Sequence, residues 1–181
     1  MNTLQEEVVL VNERDELSGR MEKLAAHRQG MLHRAFSIFI FHSDGSVLLQ
    51  RRAPTKYHSG GLWTNTCCGH PRPNEDVGDA AARRLWEEMR IAPALSAQFT
   101  FSYRAELDSG LVEHEFDHVY FGNHDGGADP DPLEADACRY VLLSDVDAEL
   151  HKHPDVYTSW FKLCWNEVKQ HLMLIDRSHQ P

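Results

Sequence analysis

The sequence predicts an α/β fold, a sandwich of helices packed around one mixed β-sheet, and three observations carry that prediction. Residues 34–41 read Arg-Ala-Phe-Ser-Ile-Phe-Ile-Phe, a run short and apolar enough for a buried strand. Residues 76–91 place Val77, Ala81, Leu85 and Met89 at the four-residue spacing of a half-buried helix. Strand-like and helix-like segments then interleave along the chain instead of segregating, which favours helices on the faces of a single sheet. In chain order, 8–11 reads as a first strand and 12–19 as a polar connection. Strands 34–41 and 46–52 form a hairpin around Ser43-Asp44-Gly45, and 54–61 is a loop. A strand at 62–69 follows, then a loop at 71–74 and the helix. A second hairpin pairs 99–107 with 111–122 through Asp108-Ser109-Gly110. After a Gly/Asp/Pro loop at 123–132 come a strand at 137–143, a short acidic helical turn capped by Ser144, and a long helix at 157–174.

The 181 residues, 41% of them hydrophobic, suffice for one domain over 1–181 with a real core, and no repeat or linker divides them. A formal charge of -10 argues against nucleic acid as a partner, because a phosphate backbone demands a broad face of Lys and Arg. Arg51, Arg52, Lys56, Arg83 and Arg84 are instead a local excess, suited to a small anionic ligand. Residues 1–10 carry Glu6 and Glu7 where a signal peptide would be basic and apolar. No apolar stretch is long enough to span a bilayer. Four cysteines without framework spacing suggest reduced thiols and the cytoplasm. Of twelve histidines, His42, His58, His124 and His179 stand in polar surroundings and are expected to be exposed.

The chemistry concentrates in Trp63-Thr64-Asn65-Thr66-Cys67-Cys68-Gly69-His70-Pro71. On a strand, side chains alternate, so Cys68 and His70 share one face and Cys67 takes the other; a bulge would exchange the two cysteines. Glu113-His114-Glu115 repeats the pattern with two carboxylates, and His27 and His33 lie upstream. Each isolated histidine has a plain alternative as a satisfied surface or core residue. At about 100° per residue, Glu88 and Arg84 flank the apolar stripe of the 76–91 helix while Glu87 points away, which makes Glu88 the better metal ligand. Arg83/Glu87 and Arg84/Glu88 also fit simple i,i+4 pairs on a solvated face.

From Gly69 the chain reads Gly69-x5-Glu75-x7-Arg83-Arg84-Leu85-Trp86-Glu87-Glu88-Met89-Arg90-Ile91, which resembles the Nudix box, with Arg84 where the box usually has Glu and Arg90 where it has Gly. Loss of that first carboxylate speaks against pyrophosphate hydrolysis. With Lys23-x-x-x-His27, His33, Arg51-Arg52, the Trp63–Pro71 segment, Tyr103-Arg104, Glu113-x-Glu115 and Ser159-Trp160 in register, nearly the whole chain resembles the type I isopentenyl-diphosphate delta-isomerase family. The resemblance implies a Nudix-type α/β/α sandwich that interconverts isopentenyl and dimethylallyl diphosphate through a tertiary carbocation. It implies Cys68 and Glu115 as proton-transfer groups, with Tyr103 and Trp160 shielding the cation. His27, His33, His70, Glu113 and Glu115 would hold Mn2+, Zn2+ or Mg2+. Glu88 would join Mg2+ to the substrate diphosphate, and Lys23, Arg52, Lys56 and Arg84 would neutralise it. The isoprenoid diphosphate is the expected partner, bound by a monomer or weak homodimer without nucleic acid or membrane. Rival readings are a Nudix pyrophosphohydrolase, which leaves Cys68, His70 and the Glu113/Glu115 pair without work, and a noncatalytic metal-binding or thiol-sensing module.

Overall fold

The computed structural model describes residues 6–107 and 110–178. Its centre is β3 (His33–Phe41), which from Phe36 on buries apolar side chains on both faces. Phe39 and Phe41 point into one core layer with Phe161, Trp165 and Val168 of α4 (Ser159–Ser178). Phe36, Ile38 and Ile40 point into the other, against Ala81, Leu85 and Met89 of α2 (Val77–Met89). The predicted sandwich is therefore built by one strand serving two cores.

The sheet is mixed. Along one edge β3 runs parallel to β8 (Val112–Asn123), and β8 pairs antiparallel with β7 (Leu95–Glu106). Along the other edge β3 meets β1 (Glu7–Val11), β6 (Cys67–Gly69) and the end of β4 (Ser46–Arg52), all antiparallel. β4 continues to β5 (Trp63–Thr64) and β9 (Ala135–Leu142).

Several sequence expectations need correction. The predicted 62–69 strand is two short ones, because Asn65 and Thr66 are fully buried and their side chains replace ladder bonds. Asn65 Nδ2 donates to Ile38 O and Cys67 O, and Thr66 Oγ1 donates to Leu48 O while accepting from Ile40 N. The 12–19 connection runs into an unforeseen strand, β2 (Leu17–Glu22), an exposed edge paired with β1. α1 (Lys23–Gln29) was also not predicted; Glu22 caps it by accepting from Leu24 N and Ala25 N. Ser144 lies inside α3 (Leu143–Lys152), whose N-cap is Leu142 without a side-chain bond. Tyr157 precedes α4 and bridges to Trp63 instead of starting the helix. β7 begins at Leu95, with a bulge between Ala97 and Phe99. Asp108 and Ser109 of the predicted turn, and His179, lie outside the described residues. Among the described residues no helix is long and apolar enough to cross a membrane.

Candidate active site

The site forms where β3 is flanked by β6 on one edge and β8 on the other. Register pairs Ser37 with Cys68 and His33 with Glu115, and on the far side of β8 pairs Tyr103 with Glu115. Strand alternation then sorts the cysteines. Cys67 is fully buried in the α2-side core, whereas Cys68 packs on the α4 side and opens onto a cavity with His70. Glu113, Glu115, Tyr103 and Trp160 line the same cavity, as do Lys23, Arg52, Lys56, Arg84 and Glu88. His27 and His33 sit completely buried beneath it. All the expected site residues are thus brought together. Glu88, and not Glu87, faces the cavity, as the helical wheel requires.

The His27 and His33 imidazoles are oriented by their far nitrogens. Nδ1 of His27 donates to Lys23 O at 2.7 Å and Nδ1 of His33 donates to Met31 O at 2.8 Å, which leaves both Nε2 lone pairs pointing inward. His33 Nε2 lies 3.2 Å from His70 Nε2 and 3.5 Å from Glu115 Oε1, and His70 Nε2 lies 2.9 Å from that same oxygen. His27 Nε2 is buried without a hydrogen-bond partner. A buried acceptor left unsatisfied is costly, and a cluster of such lone pairs is what a cation repairs. The ligand atoms of His27, His33, His70 and Glu115 all fall within 4.8 Å of one another, as do those of His27, His58 and Glu113. This donor set of imidazole and carboxylate fits a divalent metal ion.

Electrostatics splits the two carboxylates. Burial and the neighbouring charge of Glu115 push the Glu113 carboxyl well above its ordinary range. Burial works on Glu115 too, but the His33 and His70 rings beside it, with His70 Nε2 hydrogen-bonded to it at 2.9 Å, outweigh it and hold Glu115 well below the usual value. Tyr103, its own ionisation suppressed by burial, donates its hydroxyl proton to Glu115 Oε2 at 2.6 Å, with Glu113 Oε2 at 3.2 Å. Burial lowers His70 to about 4 and His58 to about 3, so both rings are neutral near pH 7.

Cys68 is held from behind. Its Sγ donates to Asn65 Oδ1 at 3.1 Å and accepts from Trp160 Nε1 at 3.3 Å. Burial, helped by the charge of Glu88, raises the thiol to about 12, so Cys68 keeps its proton.

The cations form the outer part of the site, and three of them are paired. Lys23 meets Glu6 at 3.1 Å, Lys56 meets Glu134 at 2.5 Å, and Arg84 reaches Glu88 at 2.5 Å and Glu134 at 3.0 Å. The Arg52 guanidinium lies 5.3 Å from the Trp160 ring centre. Arg51 faces the other way, forked onto Asp136. Three contributors escaped the sequence reading. His58, expected on the surface, is buried with 5% exposure. Glu134 enters from 78 positions beyond Lys56, and Asn65 was read only as part of a strand. Asn65 lies inside the Trp63–Pro71 segment and His58 two positions beyond Lys56, whereas Glu134 has no such neighbour in the sequence.

Fold and site together define a Nudix-domain protein, and the family model described as NUDIX domain matches residues 31–161. An isopentenyl-diphosphate Delta-isomerase 2 of Aromatoleum aromaticum is 52% identical over 91% of this chain and 87% of its own length. An isopentenyl-diphosphate Delta-isomerase of Pectobacterium atrosepticum is 48% identical over 90% of each. The chain belongs to the isopentenyl-diphosphate Delta-isomerase family. Among solved structures, DR0079 from Deinococcus radiodurans superposes with a TM-score of 0.70 at 21% identity, covering 82% of this chain and 90% of that one. A MutT protein from Methanosarcina mazei Go1 does so at 0.64 and 17%, over 77% and 94%. Both share the fold.

Proposed function

We propose that this chain interconverts isopentenyl diphosphate and dimethylallyl diphosphate as one catalytic unit over 1–181, acting in the cytoplasm. The observation that carries the reading is that Cys68 and Glu115, from strands on the two edges of β3, open onto one cavity. Isomerisation adds a proton to the terminal carbon of the double bond, leaves a tertiary carbocation, and removes a proton from the neighbouring methylene, so the count of protons balances. With the Cys68 thiol protonated and Glu115 ionised, the pair holds one transferable proton and one acceptor. That inventory serves either direction, the two residues exchanging parts.

The remaining residues support those two. Asn65 and Trp160 fix the Cys68 sulfur, and Tyr103 fixes Glu115. The aromatic faces of Trp160 and Tyr103 exclude water and favour the carbocation by about 2 kcal/mol when desolvated. Lys23, Arg52, Lys56 and Arg84 bind the diphosphate, and Arg84, standing where a Nudix box usually has a carboxylate, serves as a phosphate clamp. His27, His33, His70, Glu113 and Glu115 would hold a divalent ion, Mn2+, Zn2+ or Mg2+, and Glu88 would hold the Mg2+ that accompanies the diphosphate; bound there, the ions supply fixed positive charge.

The test is incubation with isopentenyl diphosphate and Mg2+ in deuterated water. Deuterium should enter a dimethylallyl product, and Cys68→Ser and Glu115→Gln should each reduce that incorporation at least about a hundredfold, within the range general acid–base catalysis contributes. Release of phosphate without an allylic product would sink the reading.

A further inference from the structure

The loop at 54–61 brings His58 to the edge of the His/Glu cluster. Its ring lies 5.9 Å from that of His27, nearly parallel to it, and edge-on to Tyr57 at 4.4 Å and Trp160 at 5.9 Å. His58 Nδ1 lies 3.3 Å from Ser59 Oγ, a local partner, while Nε2 points at Glu113 Oε1 from 3.5 Å. That separation is too long for a sound hydrogen bond, yet it suits two donor atoms facing a shared cation. The atoms of His27, His58 and Glu113 fall within 4.8 Å of one another, and His27 Nε2 is buried without a hydrogen-bond partner. His27 also belongs to the group with His33, His70 and Glu115. One imidazole lone pair binds one ion, so the two overlapping groups describe a single ion's surroundings.

The backbone around His58 is tightly constrained. Ser59 has φ 50, a left-handed conformation that is unfavourable for a residue with a side chain. A Cβ on Gly60 would come 2.7 Å from Pro54 O, so the loop closes tightly on its own start.

We infer that His58 is a further ligand of the divalent ion, contributed by the 54–61 loop, so that the ion ties this loop and its Lys56 to the His/Glu cluster. The inference rests on the proposed reading of that cluster as a metal centre. It extends the donor set from three imidazoles to four, and it couples two binding events. An ion that holds the loop positions Lys56 for the diphosphate, and by reciprocity the diphosphate tightens the ion.

The test uses the full chain labelled with 15N at histidine and titrated with Zn2+ without substrate. The His58 Nε2 resonance should move to the metal-bound position together with those of His27, His33 and His70. Movement of the other three without His58 overturns this assignment alone, and movement of none overturns it together with the metal centre. In a chelator competition, His58→Gln should weaken Zn2+ binding at least about tenfold, with the metal-free melting temperature unchanged; unaltered affinity would also refute the assignment.

Discussion

At Cys68 the protonation of one sulfur is decided by what lies behind it. Strand alternation gives Cys67 to the core and Cys68 to the cavity, but alternation does not say whether the exposed thiol is reactive. Burial and the nearby Glu88 carboxylate raise Cys68 to about 12, while Asn65 Oδ1 accepts its proton. An ordinary thiol near ~8.5 is about a quarter thiolate at pH 8, whereas Cys68 would be ionised to roughly one part in ten thousand. Alkylation of Cys68 by iodoacetamide, followed by peptide mass spectrometry, should therefore quicken about tenfold per pH unit from pH 7 to 10 without levelling. A plateau near pH 9 would mean that the surroundings do not protect the thiol as described. Glu113 and Glu115 show the same lesson: identical side chains two positions apart are driven in opposite directions, because only Glu115 sits against the His33 and His70 rings.

Among the elements, α2 shows how a departure from a family pattern appears in physical terms. Asp76 caps its start by accepting from Gly78 N and Asp79 N, and Arg90 ends it at φ 56 and ψ 30, the left-handed position where glycine is favoured. Arg90 compensates in part through its guanidinium, which reaches Trp86 O and Asp131. Arg90→Gly should relieve about 1 kcal/mol of backbone strain and raise the melting temperature by about 2–4 °C. A lower midpoint in a thermal melt would show that the side-chain contacts outweigh the strain. α2 and β3 were legible in the sequence because their apolar residues keep a strict period. α1 was not, because its fully buried side chains are Ala26 and His27, and a histidine on the buried face hides the periodicity. β2 was missed for the opposite reason: as an edge strand with no fully buried residue it has no alternation to read.

Across the whole molecule, the site divides by the same rule. Cys68 with His70 and Glu113 with Glu115 were legible as pairs because strand geometry alone aims them together, whereas His58 and Glu134 arrive from irregular segments with no period to betray them. A chain that collects so many buried donors should depend on its ion for stability. Saturating Zn2+ at about a hundred times Kd should add roughly 3 kcal/mol, or a rise of about 5–10 °C over the melt in chelator. The pH dependence follows from the shifts. His27, His58 and His70 have folded values lowered by burial, the last two to about 3 and about 4. For such bases the unfolded chain takes up protons first, so their contribution to stability is present above about 6.5 and is lost as pH falls towards the folded values. Because His58 and His70 are neutral in the fold near pH 7, the ion has no proton to displace from those two rings. Glu113, raised well above its ordinary value, must release one. Zn2+ affinity should therefore rise with pH, by about tenfold per unit for each proton displaced. Melts with Zn2+ and with chelator at pH 5.5, 6.5 and 7.5 measure this, and a loss of a thousandfold per unit on acidification would show that the histidines are protonated and the described burial does not keep them neutral.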